Sequence, residues 1–190
     1  MSTTSTTDSP SGSTTALTWL GLLVGGVGIA GSLYLSLGMD LHPCPLCYYQ
    51  RSFVMGATAV LLLGLLGGTS RLVSVAGLAL PLALAGAAVA GWHVYLEATG
   101  KLECPKGILD IGSAPQQSLA ALGSFALILL LATFPSLQPS GGPLGVFAGL
   151  ILGAGIAYGC VVSVPPPPKR TTPYDPPEIK TCRPPYVEAL

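Results

Sequence analysis

Charge is scarce in this sequence. Eight basic and eight acidic residues make up 8% of its 190 positions, against roughly 25% in an average soluble domain. Half of the residues are hydrophobic and the mean hydropathy is +0.65. Too few polar side chains remain to cover the surface of a water-soluble globule. The same hydrophobicity excludes intrinsic disorder for the bulk of the chain. A basic stripe is missing too, and the formal net charge is zero, which excludes a nucleic-acid partner. There is no internal repeat. The 18 prolines do not signal low complexity throughout, because they cluster late. These absences leave an all-α polytopic membrane protein with five cysteines.

No Lys or Arg precedes the first apolar run, so the N-terminus does not read as a signal peptide. Residues 1–16 are Ser/Thr-rich and are expected to be a disordered N-terminal segment. Five apolar stretches follow, at 17–38, 52–69, 72–94, 118–134 and 144–164. A helix crosses the hydrocarbon with about 20 residues, in a range of roughly 17 to 25. Helices are required, because lipid offers no partner to an open backbone. The expected architecture is a four-helix transmembrane bundle plus a fifth transmembrane helix over residues 17–164. A Pro-rich extracytoplasmic tail, 165–190, follows it, with an extended PPPP run at 165–168. Pro81 falls inside the third span and predicts a kink. Small residues at helical spacing (Gly21 with Gly25, Gly64 with Gly68, Gly153 with Ala157) permit close helix approach.

Five crossings put the first loop, the third loop and the tail on one side of the membrane. Cys44 and Cys47 lie in the first loop, Cys104 in the third and Cys182 in the tail. Cys160 sits about 6 Å inside the end of the fifth span, at 1.5 Å per residue, and belongs to the same side. Cysteines gathered on one face suggest redox chemistry in an oxidising compartment, outside the cytosol. The expected location is the cell inner (plasma) membrane, multi-pass, with the cysteines extracytoplasmic. The basic residues point the other way. Arg51, Lys101, Lys106, Lys169, Arg170, Lys180 and Arg183 sit on the cysteine side and only Arg71 opposite, whereas Lys and Arg concentrate in cytoplasmic loops.

Cys44-Pro45-Leu46-Cys47 is a Cys-x-x-Cys pair at a membrane edge. Two thiols at this spacing can close a disulfide or contribute to a metal site. Zinc needs four ligands; His42 could be a third, and no second pair of this kind is present. The redox reading is therefore preferred. A metal-binding or sensor membrane protein using this loop is the alternative. Arg51 stands four residues after Cys47 and shares its helical face if the second helix begins near there. A guanidinium at that place favours thiolate, or hydrogen-bonds a carbonyl that gains charge on reduction. The plain alternative is an Arg snorkelling to headgroups. Trp92 and His93 close the third span on the cysteine side, where His93 can face a bound cofactor or simply belong to the interfacial belt. Cys104 has no second cysteine in its loop. The tail is long enough for Cys182 to reach it; Cys160 is the competing partner.

At CPLCYYQR the sequence resembles the DsbB family of quinone-dependent disulfide-forming membrane proteins. His93 near the end of span three and Cys104 in the following loop also fit, and the resemblance covers roughly residues 17–134. It implies an enzyme, a quinone-dependent protein-disulfide oxidoreductase. Cys44 and Cys47 would be the quinone-linked pair, with Cys47 nearest the quinone, either ubiquinone or menaquinone. Arg51 would help to hold the quinone, with His93 beside it. Cys104 would belong to a shuttling pair attacked by a soluble thioredoxin-like thiol oxidase. Typical members hold both shuttling cysteines in the third loop and end after four spans. This chain adds a fifth span and a cysteine-bearing tail, so Cys182 is a candidate for the missing fourth catalytic cysteine.

Overall fold

The structure is a computed structural model, described here for residues 12–66, 72–133, 142–163 and 179–185. Its helices are α1 (Gly12–Leu37), α2 (Pro45–Leu66), α3 (Leu72–Ala98), α4 (Ala114–Thr133) and α5 (Gly142–Ser163). A single 3-10 turn at Ile108–Asp110 interrupts the connection from α3 to α4. Helices α1 to α4 are each long and apolar enough to cross a membrane. Within α5 the apolar stretch is Leu150–Val162. The chain is an all-α, multi-pass membrane protein.

Three helices, α1, α2 and α4, start well before their hydropathy boundaries, each for a local reason. α1 begins at Gly12 rather than Leu17, because extending a nucleated helix adds one backbone bond per residue fixed. Residues 12–16, expected to be disordered, are therefore helical; 1–11 and the PPPP run lie outside the described residues. α2 begins at Pro45, seven residues before the apolar run, and so takes Cys47 into its first turn with Cys44 just ahead of it. α4 begins at Ala114 behind a capping box. Ser113 Oγ accepts from the Gln116 amide at 3.4 Å, and Gln116 Oε1 accepts from the Ser113 amide at 3.3 Å. The sequence Ser-Ala-Pro-Gln carries this signature, but it is polar and hydropathy passes over it.

Helix α3 is central and packs against α2, α4 and α5, while α1 lies against α2 and α4. Lipid is as apolar as leucine, so helices in it associate through close packing rather than through escape from water. Small side chains supply that closeness: Ala57, Ala76, Ala79, Ala83, Ala85, Ala90 and Ala132 are fully buried. Leu61, Leu80, Phe125 and Leu129 fill the space between them. Of the glycines singled out by spacing, Gly21, Gly25, Gly64 and Gly153 sit at contacts within this chain, and Gly68 lies outside the described residues. A methyl group on Gly25 would overlap Thr58 Oγ1 across the α1–α2 contact. One on Gly153 would stand 3.0 Å from the Pro81 carbonyl oxygen and 3.1 Å from Leu84 Cβ, where α5 meets α3. Pro81 lies inside α3 without ending it. Leu63, Leu66, Leu78 and Ile151 point outward, as lipid-facing positions should.

Candidate active site

After α1, Asp40 turns the chain with φ 54°, and Pro43 leads into Cys44. Cys44 is the N-cap of α2. Its carbonyl accepts from the Tyr48 amide at 3.1 Å, and its sulfur accepts from the Cys47 amide at 3.4 Å. A sulfur here stands where a Ser or Asp oxygen ordinarily caps. Pro45 follows at the first helical position, where its missing N–H costs nothing. The two sulfurs of the pair lie 3.0 Å apart. Cys44 is buried, yet its thiol is pulled down to about 4. The largest cause is the hydrogen bond from the Cys47 thiol; burial opposes it, and the contact with His93 helps it.

The tail crosses this loop as a strap. Glu103 and Arg183 exchange two backbone hydrogen bonds, at 2.8 and 3.0 Å, and the His42 amide donates to the Lys180 carbonyl at 2.8 Å. Lys180 Nζ also meets Asp40 Oδ2 at 2.7 Å; that hydrogen bond holds the exposed Asp40 carboxyl below its ordinary range. The strap delivers Cys182 to Cys104, and the two form a disulfide. Cys160 takes no part in it and packs near Leu46, Ala85 and Val89. Residues 179–185 thus lie at the end of the bundle that holds loops one and three.

One imidazole joins the two cysteine pairs. His93 is fully buried on α3. Its Nε2 lies 3.8 Å from Cys44 Sγ, 3.5 Å from Cys104 Sγ and 3.2 Å from Cys182 Sγ. On the far side of the ring, Gln50 Nε2 donates to Nδ1 at 3.2 Å. Ser118 Oγ in turn donates to Gln50 Oε1 at 2.6 Å. With Nδ1 accepting, the proton of a neutral ring stays on Nε2, facing the sulfurs.

Behind the Cys-x-x-Cys pair a cavity of about 430 Å³ opens between α1, α2, α4 and loop three. Leu23, Val27, Leu35 and Val54 give it apolar walls; Cys47, Gln50 and Arg51 make its polar end. Arg51 is tied to α1. Its Nε donates to Ser32 Oγ at 2.9 Å, and its Nη2 donates to the Ser32 carbonyl at 2.8 Å and to Ser36 Oγ at 2.6 Å. These bonds fix the guanidinium as a planar fork at the cavity rather than leaving it to snorkel.

The structure thus gathers Cys44, Cys47, Cys104, Cys182 and His93, and sets Arg51 on the cavity wall. His93, expected beside a quinone, is not among the residues lining that cavity. The His42 side chain is exposed. Gln50, Ser118, Ser32 and Ser36 had drawn no role from sequence. The first two are single polar residues whose partners lie 43 and 68 positions away, and no local pattern reveals such pairs. Ser32 and Ser36 are spaced i, i+4 on α1, the one signal that could have marked them.

Comparison with known proteins follows the same line. The profile of the family described as "Disulfide bond formation protein DsbB" matches residues 14–123. Disulfide bond formation protein B 2 of Burkholderia lata is 36% identical over 98 residues, 50% of this chain and 58% of that protein. A probable disulfide formation protein of Chlamydia trachomatis is 32% identical over 125 residues, 60% of this chain and 90% of that protein. Disulfide bond formation protein B of Herminiimonas arsenicoxydans is 39% identical over 77 residues, 40% of this chain and 48% of that protein. The chain thus spans only about half the length of some relatives and most of others. No solved structure matches it.

Proposed function

This chain belongs to the DsbB family of disulfide bond formation proteins, and on that premise we propose that it reoxidises a soluble thioredoxin-like thiol oxidase and passes the electrons to a membrane quinone. The observation that carries this reading is the meeting of two cysteine pairs around His93, each of which borders an apolar cavity, through Cys47 and Cys182. A partner thiolate attacks Cys104, forming a mixed disulfide and releasing Cys182 as thiolate. The partner's second thiol then closes the partner's own disulfide and frees Cys104. Cys182, whose sulfur lies within 4.8 Å of Cys44 Sγ, attacks Cys44 of an oxidised Cys44–Cys47 pair. Cys104 resolves that bond, restoring Cys104–Cys182 and leaving Cys44 and Cys47 as a dithiol. Two electrons have then moved from the partner to the Cys-x-x-Cys pair.

Nε2 of His93, facing Cys44, Cys104 and Cys182, stabilises whichever sulfur is released as thiolate. Cys44, as helix cap beside the Cys47 thiol, holds its negative charge readily and so leaves well from a disulfide. The cavity suits a ubiquinone or menaquinone: its walls are apolar enough for ring and tail, while Cys47, Gln50 and Arg51 supply a thiol and donors at one end. Arg51 and Gln50 would hold the quinone carbonyl, and Cys47 would be the nearer sulfur. When bound, the quinone supplies an acceptor for two electrons and two protons, which returns Cys44 and Cys47 to the disulfide.

The cysteine end is assigned to the extracytoplasmic side of the cell inner membrane, because a disulfide persists in an oxidising compartment. The test is turnover by purified protein with a reduced thioredoxin-like dithiol as donor and a quinone as acceptor. Cys44→Ser or Cys47→Ser should abolish it. Turnover close to wild type in either variant would overturn the proposal. Labelling of reduced intact cells with a membrane-impermeant thiol reagent tests the side: labelled Cys104 and Cys182 support it, and protected ones reverse it.

A further inference from the structure

The geometry around His93 points to a second use of the same residues: in the fully reduced chain, Cys44, Cys104, Cys182 and His93 form a four-ligand site for zinc. Zinc binds thiolate at about 2.3 Å and imidazole nitrogen at about 2.0–2.1 Å, in a tetrahedron. Tetrahedral angles then put ligand sulfur and nitrogen roughly 3.5 Å apart. His93 Nε2 stands 3.8, 3.5 and 3.2 Å from the sulfurs of Cys44, Cys104 and Cys182. All three nitrogen–sulfur separations bracket that value. Once the disulfide opens, the Cys104 and Cys182 sulfurs must part, and Cys104 must swing toward Cys44, to reach the roughly 3.8 Å between two zinc-bound thiolates. The sulfurs of Cys44 and Cys182 and the ring nitrogen lie within 4.8 Å of one another. Three cysteines and one histidine make a complete structural zinc set.

Redox state gates the site. In the oxidised chain Cys104 and Cys182 are bonded to each other, and a disulfide sulfur is not the thiolate that zinc takes. A dithiol reductant opens the bridge: its two thiols become a disulfide, and Cys104 and Cys182 become thiols. Zinc then binds Cys44, Cys104 and Cys182 as thiolates, each remaining thiol proton passing to solvent, and His93 through Nε2. Ligation through Nε2 leaves the ring proton on Nδ1, where it must donate. Turning the Gln50 amide about its last torsion brings Oε1 to Nδ1 and Nε2 to Ser118 Oγ, a hydroxyl that accepts as well as donates. A histidine ligand whose other nitrogen is held in this way is the usual arrangement at metal sites.

The site differs from the one the sequence offered. His42 is exposed and His93 is fully buried, and Cys47 is not among the sulfurs facing the ring. Because zinc occupies three of the four exchanging sulfurs, it would arrest disulfide exchange in the reduced protein and leave the oxidised protein untouched. Zinc binding at this site does not depend on the electron acceptor.

The experiment uses the full chain in detergent, reduced with a phosphine and titrated with cobalt(II) alone. The expected result is a thiolate-to-cobalt charge-transfer band that saturates at one ion per chain, is displaced by zinc(II) and is absent from the oxidised chain. Cys182→Ser, on the strap outside the bundle, should weaken affinity by on the order of a hundredfold, at the upper end of the 10–100-fold typical of outer partners alone. His93→Ala should do the same, and His93→Cys should restore binding with an all-thiolate spectrum. His42→Ala should leave affinity unchanged. Equal binding by the oxidised chain, undiminished binding by Cys182→Ser, or a loss in His42→Ala matching that in Cys182→Ser would overturn the site.

Discussion

His93 Nε2 stands 3.2 Å from Cys182 Sγ although 89 positions separate the two residues. The contact exists because residues 179–185 lie at the end of the bundle where α3 finishes. The strap at 179–185 is then pinned by backbone bonds to His42 and Glu103. It turns two cysteine pairs, each capable of a disulfide alone, into one connected set.

Cys44 should be a thiolate at neutral pH whenever Cys44 and Cys47 are reduced. Its folded value is near 4, against about 8.5 for a thiol in an unfolded chain. Because the folded value is the lower one, folding stability from this group is complete above about 8.5 and is lost as pH falls toward 4. In a Cys160→Ala background with Cys104–Cys182 intact, thiolate ultraviolet absorbance should disappear with a midpoint near 4. Cys47→Ala should move that midpoint upward, because the Cys47 hydrogen bond is the largest cause. A midpoint at the ordinary thiol value in the unsubstituted pair would contradict the geometry.

Gln50 should act as a positioning residue. Gln50→Leu removes the donor to His93 Nδ1 and lets the ring place its proton on either nitrogen. A hydrogen bond of this kind is worth about 0.5–1.5 kcal/mol net, so single-turnover exchange between the two pairs should slow about two- to tenfold. Its pH profile should shift as well. Ser118→Ala should give a smaller change in the same direction. A slower rate with an unmoved pH profile would indicate packing alone.

Arg51→Lys keeps the charge but not the fork. The hydrogen bonds to Ser32 and Ser36 come from two nitrogens, Nε and Nη2, a rigid fork that a point-like ammonium on a flexible stem does not reproduce. The expected outcome is an unchanged fold by circular dichroism with KM for quinone raised on the order of tenfold, about 1.4 kcal/mol. An unchanged KM would return Arg51 to a purely structural tie between α1 and α2.

Gly153→Leu should loosen α5 from α3. Even a methyl group there meets the Pro81 carbonyl at 3.0 Å, and backbone cannot step aside as a flexible side chain can. Overpacking typically costs about 1–3 kcal/mol. Thermal unfolding should fall accordingly, and Cys182 should become more accessible to thiol reagents after reduction. Wild-type stability would show that α5 packs elsewhere.

Hydropathy and residue type, read along the chain, were enough for the membrane class, the α1–α4 spans and the Cys-x-x-Cys pair at a membrane edge. They also placed Arg51 on the Cys47 face and set the tail on the cysteine side. These properties are local or additive: lipid solubility is a window average, and helix facing follows from spacing. Other properties waited on tertiary structure. Cys182 rather than Cys160 joins Cys104, because backbone pairing with Glu103 positions the strap while Cys160 is held on a packed helix. His93 meets sulfurs rather than the cavity, because the depth and rotation of α3 decide which neighbour its ring faces. Gln50 and Ser118 acquire roles only when α2, α3 and α4 pack, since a hydrogen bond between residues 68 positions apart leaves no trace in the order of the chain.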